Sequence, residues 1–237
     1  EDVQTRWLFL LLAGGIAVLS VQNMLVELPV EGYRATVPSP VPTLSTAEFD
    51  AIRDGTFQWV SALSCTGFQS SPIGRWSDGG KLLLAGAMTM GGAAGSTVGG
   101  IKIIRGYTVS KGIQWQFSRV FLPKSAVVST VIDGRRLDAD AMNREFAEAA
   151  IVSLLWVILL LASSLVLVNL TGPDFGYADA LFEVASAQGN VGLSTGITGP
   201  EMPVVAETLF LFNMWIGRLE IIPVLVLARS ALKGLEP

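Results

Sequence analysis

The sequence predicts an all-α membrane protein built from two consecutive copies of one unit: a membrane helix, a shorter re-entrant helix ending in a glycine turn, and a second membrane helix. Three observations predict it. Apolar runs of membrane-spanning length alternate with amphipathic stretches too short or too polar to span. Basic residues gather in one connecting segment and acidic residues in another. The two re-entrant stretches align without a gap when the chain is shifted by 125 residues.

The bulk composition agrees. Of 237 residues 51% are hydrophobic and 15% charged, and the mean hydropathy is +0.53; a typical soluble domain is about 25% charged. The net charge of −4 gives a nucleic-acid partner no electrostatic support. With no histidine and one cysteine, Cys65, the chain lacks the residues for a Ser-His-Asp triad, a His-rich metal site or an internal disulfide framework. It opens on Glu1 rather than Met, without a signal-peptide pattern, and reads as a piece of a longer protein.

A bilayer core takes about 20 mostly apolar residues in a helix. Trp7–Val26 meets that length, with Gln22 and Asn23 near its outer end. Lys81–Ile104 is long enough but rich in glycine, so it reads as an irregular membrane segment. Phe146–Leu170 qualifies, and Ile151–Leu161 within it carries no charge. Val204–Ala228 qualifies but holds Arg218 and Glu220. Between these four lie Ala47–Leu63 and Tyr177–Ala187, each amphipathic and each ending in small and polar residues. Such stretches read as re-entrant helices.

Charge sets the orientation. Ile101–Arg136 carries seven basic residues (Lys102, Arg105, Lys111, Arg119, Lys124, Arg135, Arg136) and one acid, Asp133. Glu27–Asp54 carries five acids and two bases. Because basic loops stay inside, segment 101–136 is expected to be cytoplasmic. The proline-rich stretch Pro29–Pro42 and both turn mouths are then extracellular.

The 125-residue shift places Asp54 on Asp179, Phe57 on Phe182, Ser61 on Ser186, Ala62 on Ala187, Gly67 on Gly192 and Gly74 on Gly199. Both copies sit between membrane segments in the same order, which makes this an internal repeat. The expected division is 1–120 for one unit and 121–237 for the next.

Each turn suggests a chemistry. Irregular backbone at membrane depth survives only where it is buried in protein or lines a water-filled path. A dehydrated cation needs oxygen ligands, and backbone carbonyls supply them when successive peptides face one way. Glycine permits the left-handed angles such a turn demands, and the C-terminal end of a helix presents partial negative charge to a cation. Ser64, Cys65, Thr66, Gly67 and Phe68 form one candidate turn; Asn190, Val191, Gly192 and Leu193 form the other. Neither contains Asp or Glu, which fits carbonyl coordination better than a carboxylate ring. Cys65 reads as a small filler, with nothing nearby to lower its pKa.

Two readings compete for Gly91–Gly100. Gly91, Gly95 and Gly99 recur every four residues, the pattern of close helix packing. Alternatively the membrane segment is broken there, and Gly91, Gly92, Gly95, Ser96, Thr97, Gly99 and Gly100 form a movable plug. No Gly-Lys-Ser/Thr follows, so it is not a nucleotide loop. Arg218 lies deep in an apolar segment, where a charge costs about 2.5–3.5 kcal/mol. Roughly ten residues, about 15 Å of helix, separate it from the surface. A partner inside the protein is therefore expected, with the carbonyls of Gly91–Gly100 as the first candidates; Glu220 faces elsewhere on the helix.

Four motifs in this order, Ser61–Phe68, Gly91–Lys102, Ser186–Ser194 and Gly217–Leu225, resemble the Trk/Ktr potassium-uptake pore subunits of the Trk/Ktr/HKT superfamily. The resemblance covers most of the chain. It implies two consecutive helix/pore-loop/helix units, the third and fourth, of a four-unit pseudo-symmetric cation pore. Gly67 and Gly192 then match the potassium filter, Gly91–Gly100 the intramembrane gate, and Arg218 an arginine projecting toward the pore. The transported ion is potassium, and no organic cofactor is expected in this chain. The partners implied are the remaining two pore units, a second copy in a homodimer, a cytosolic nucleotide-binding regulatory ring and membrane lipid. The setting is a plasma or cell inner membrane, crossed several times. Cys65 beside the filter threonine departs from the family pattern. In some plant relatives serine at a filter glycine goes with sodium transport, so glycine at both positions favours potassium.

Other classes fit less well. A secondary transporter with broken helices would bind a small solute at the midplane, but both turns are short and nearly uncharged. A membrane enzyme needs an acid/base or nucleophile constellation, and no two acids lie close within the apolar segments. A structural subunit has no need of re-entrant backbone.

Overall fold

The computed structural model describes residues 3–26, 46–93, 95–96, 98–122, 130–132, 134–219, 223–224, 226–227 and 229–230. The proline-rich stretch 29–42, Thr97 and Glu220 lie outside the described residues.

The chain folds as an all-α protein with one small hairpin. The helices are α1 (Val3–Leu25), α2 (Thr46–Ser64), α3 (Asp78–Thr89), α4 (Ile103–Val120), α5 (Ala139–Leu170), α6 (Tyr177–Gly189) and α7 (Val204–Leu219). Strands β1 (Thr130–Ile132) and β2 (Arg135–Leu137) pair antiparallel between α4 and α5. Among the described residues two helices are long and apolar enough to cross a membrane, α1 with 23 residues and α5 with 32. Much of their apolar surface faces outward: Phe9 and Leu10 on α1 and Ile151 and Leu154 on α5 are all more than half exposed. Large apolar side chains on the outside are a liability in water and the natural surface in lipid.

The expected segment Lys81–Ile104 is not one element. Helix α3 ends at Thr89 and α4 starts at Ile103, so the reading of a continuous helix packed through Gly91, Gly95 and Gly99 is overturned. Gly95 and Gly100 have φ of +82° and +80°, which a right-handed helix does not contain. Helix α4 and the hairpin occupy much of the segment expected to be a basic loop. There a small cluster of Trp115, Ile132, Leu137 and Met142 ties α4, the hairpin and α5 together. The last expected span, Val204–Ala228, is continuous helix to Leu219; part of its remainder lies outside the described residues.

One larger core joins the two halves of the chain. Leu19 of α1, Trp59 of α2, Leu84 and Met88 of α3, Trp156 and Leu160 of α5, Phe182 of α6 and Phe210 and Ile216 of α7 belong to one buried cluster. Helix α6 packs against α3, α5 and α7, and Phe182, Val184 and Ala185 are fully buried. Polar pairs fix the packing. Lys81 of α3 meets Asp179 of α6 at 2.6 Å, with both side chains buried. Asn213 of α7 donates to Ser163 Oγ of α5 at 3.0 Å. In an apolar medium such bonds hold helices together where the hydrophobic effect between them is weak.

Candidate ion site

Helices α2 and α6 end in the same way. Cys65 and Asn190, the first residues beyond them, have φ of +53° and +55°. Thr66 N donates to Ser61 O at 3.0 Å and Cys65 N to Ala62 O at 3.4 Å. In the other copy Val191 N donates to Ser186 O at 2.9 Å and Asn190 N to Ala187 O at 3.1 Å. This double closure is a Schellman cap, which satisfies two carbonyls of each last helical turn and turns the chain sharply. Asparagine tolerates that left-handed position well and cysteine less so. Cys65 is therefore more than a filler: it holds the αL cap, and its Sγ donates to Gly189 O at 3.4 Å.

Gly67 and Gly192 follow, with φ of +76° and +97°. A Cβ on Gly67 would collide with Val191 O and lie 3.3 Å from the Gly192 Cα. The two turns therefore abut, and glycine is required at 67 by both its angle and its neighbour. Beside them Gln69 Nε2 donates to Ser194 O at 2.6 Å, a lateral tie between matched positions. The serine shared by the helices supports each turn from within. Ser61 Oγ donates to Phe68 O at 2.7 Å, and Gly192 N donates to Ser186 Oγ at 3.1 Å. Ser64, Thr66, Phe68 and Gly192 are exposed on this chain, whereas Val191 and Leu193 are buried.

Sequence reasoning missed the residue that organises the second turn. Glu183, 2% exposed, sits mid-helix in α6 and receives the segment leaving the turn. Its Oε1 accepts from Ser194 Oγ (2.6 Å), Thr195 N (2.8 Å), Thr195 Oγ1 (3.2 Å), Gly196 N (3.2 Å) and Ile197 N (3.2 Å). Its Oε2 accepts from Thr198 Oγ1 at 2.7 Å. The matched residue of the first copy is Gln58. Its amide faces Ser70 and Ser71, and with the amide oxygen turned to the backbone it accepts from Ser70 N at 2.7 Å and Ser71 N at 3.3 Å. The signal was a carboxylate aligned with an amide at one position of the repeat.

The break between α3 and α4 is a closed loop. Gly91 N donates to Ile101 O (2.7 Å), Ile101 N to Thr89 O (2.9 Å) and Ile103 N to Gly92 O (3.2 Å), which seals its base. Gly99 lies so close to Gly189 O that any Cβ would collide with it. The loop thus rests on the C-terminal end of α6, beside the Cys65 contact. Two of the loop carbonyls are taken by Lys102, whose Nζ donates to Ser96 O at 3.0 Å and Val98 O at 2.5 Å. Arg218 stands in the last turn of α7 with its side chain exposed on this chain. The preceding Gly217 lets α7 approach Gln188 O, and Asn190 Nδ2 donates to Met214 O at 3.2 Å.

Two capped short helices meeting at abutting glycine turns, with a broken helix lodged against them, leave the family to be decided by comparison. Residues 1–233 match the TrkH family, described as a cation transport protein. The chain belongs to the TrkH family. An uncharacterized cation transporter of Methanocaldococcus jannaschii, MJ1485, is 36% identical over 74% of this chain and 36% of its own length. The Trk system potassium uptake protein TrkH of Escherichia coli is 31% identical over 74% of this chain and 35% of its own. The Halomonas elongata protein of the same name is 30% identical over 98% of this chain and 43% of its own. The chain therefore spans less than half the length of these TrkH-family relatives, which are named for transport and uptake rather than catalysis. The crystal structure of the potassium transporter TrkH from Vibrio parahaemolyticus superposes with a TM-score of 0.74, covering 98% of this chain and 45% of that one at 22% identity. This match establishes the all-α TrkH fold.

Proposed function

We propose that this chain supplies the third and fourth helix/pore-loop/helix units, 1–120 and 121–237, of a potassium-uptake pore in a cell inner membrane. The abutting pair of left-handed glycine turns at Gly67 and Gly192 carries the reading. Potassium sheds water at carbonyls of Ser64–Phe68 and Asn190–Leu193, with the partial negative ends of α2 and α6 facing the ion. The loop Gly91–Gly100 blocks or opens the path beneath, and Arg218 sets a resting barrier on the pore side of α7. The other two units of the same protein complete the ring. A second copy and a cytosolic nucleotide-binding ring complete the assembly, the latter on the side of segment 101–136. Relatives named as potassium uptake proteins favour potassium as the cargo.

The test is uptake by potassium-depleted cells that lack their own potassium transporters and express the complete parent protein. Growth and uptake restored at low external potassium, and abolished by Gly67→Ser, support the reading. Restored transport of an organic solute without potassium uptake would replace it with a broken-helix solute transporter.

A further inference from the structure

We propose that Gln69 is a positioning residue for ion selection: it grips the peptide Ser194–Thr195 of the neighbouring unit from one side while Glu183 grips it from the other. The proposal rests on reading Gly67 and Gly192 as filter turns. The C=O and N–H of a trans peptide point in opposite directions. Ser194 O accepts from Gln69 Nε2 at 2.6 Å. The N–H of the same peptide, on Thr195, donates to Glu183 Oε1 at 2.8 Å. The plane is therefore held at both edges, each by a different unit of the chain. Beside it, Thr195 O lies so close to Gly74 that a Cβ there would collide with it, so the next carbonyl is also seated against the third unit. The segment needs such grips. Gly192 and Gly196 on either side of it have φ of +97° and +109°, and glycine leaves the backbone freer to rotate than other residues do.

Gln69 is itself placed by its neighbours. Phe68 O accepts from Ser61 Oγ at 2.7 Å, and Ser70 Oγ donates to Asp54 Oδ1 at 3.1 Å, so the residues on both sides of it are tied to α2. Its own side chain, exposed on this chain, reaches across the seam instead. The repeat supplies a contrast. The residue matched to Gln69 is Ser194, whose short side chain gives its hydroxyl proton to Glu183 Oε1 at 2.6 Å. One unit extends a long amide to its neighbour, and the other turns a short hydroxyl inward. A carbonyl filter selects by the size of its cavity or by the number and field of its dipoles, and on either account the carbonyls must keep their direction. Gln69 acts on the ion through the backbone of 192–195 rather than by contact.

The experiment measures bi-ionic reversal potentials and thermal melts of the complete parent protein, with its cytosolic partner supplied. Wild type is compared with Gln69→Met, Gln69→Glu, Glu183→Gln and the double variant Gln69→Met/Glu183→Gln. Methionine matches glutamine in length and lacks the donor; glutamate keeps the shape and turns an acceptor toward Ser194 O. Both single changes at Gln69 should lower the potassium-over-sodium ratio about three- to tenfold, the factor that one ordinary hydrogen bond represents. The melt should not move, because the side chain is exposed. Since both grips act on one peptide, the double variant should lose no more selectivity than the worse of its two components. A wild-type ratio in Gln69→Met, or a flux that falls with the ratio intact, overturns the proposal. So does a loss in the double variant equal to the product of the two or larger. If Gln69→Met does not fold, Gln69→Ala serves. A wild type that conducts no potassium overturns the functional reading and this proposal with it, whereas a selective wild type matched by its Gln69 variants overturns the proposal alone.

Discussion

Glu183→Gln is expected to loosen the turn at Gly192 without unfolding the protein. The matched residue Gln58 shows that an amide is at home at this position of the unit. The donors waiting for it differ, however. Glu183 Oε1 alone receives five, of which three are the backbone N–H groups of Thr195, Gly196 and Ile197. A glutamine oxygen is a neutral acceptor with two lone pairs. At least one buried backbone N–H is then left weakly bonded or orphaned, and each such loss costs about 1–3 kcal/mol. With the bonds that pass from charged to neutral, a total of about 2–4 kcal/mol is expected. That loss falls on 194–198, the segment leaving Gly192, where Glu183 gathers its donors. Selectivity is a difference between two ions, and a third to a half of that energy appearing in it lowers the potassium-over-sodium ratio about tenfold. The assay is the bi-ionic reversal potential of the complete transporter, with protein amount checked by gel filtration. A ratio and an apparent potassium KM both equal to wild type would refute the argument.

Other consequences follow from single contacts. Gly192→Ser should lower potassium selectivity, because its φ of +97° disfavours any side chain; reversal potentials alongside thermal melts separate a disturbed filter from a destabilised fold. Gly99→Val drives a side chain into Gly189 O, so the loop cannot seat and partner-independent flux should rise; unchanged flux would show that the seat is not the barrier. Lys81→Met leaves Asp179 buried without its partner at 2.6 Å, a loss of about 3–5 kcal/mol. The double variant Lys81→Met/Asp179→Asn should recover much of it in a thermal melt, since the introduced amide is neutral and keeps an oxygen for the Gly176 N–H that Asp179 accepts.

Much of the fold is legible in the sequence because lipid and glycine leave strong signatures. The apolar lengths of 7–26 and 146–170 locate α1 and α5, though α5 starts earlier, at Ala139, where Asp138 caps it by accepting from Ala141 N at 2.8 Å. The ends of α2 and α6 are marked by the glycines that follow. Helix α4 is hidden because it is too polar to span a bilayer, so with Arg105, Lys111 and Arg119 along it the segment reads as a basic loop. Among candidate site residues, the glycines are visible because a left-handed turn has few alternatives. Glu183 and Lys102 are not. A carboxylate on a short amphipathic helix reads as a solvent-facing group until a loop folds over it. A lysine at a helix start reads as a cytoplasmic anchor until its side chain is seen turned back onto carbonyls. In both cases many of the partners are backbone groups, which carry no residue-specific mark.

The central claim is that Gly67 and Gly192 form part of one carbonyl filter for potassium. Its most direct test is ion flux in proteoliposomes holding the complete parent protein, under opposed potassium and sodium gradients, for wild type, Gly67→Ser and Gly192→Ser. Potassium-selective flux in the wild type that loses its selectivity in each serine variant is the predicted result. Selectivity left intact in both variants, with flux preserved, would contradict it and place the filter elsewhere.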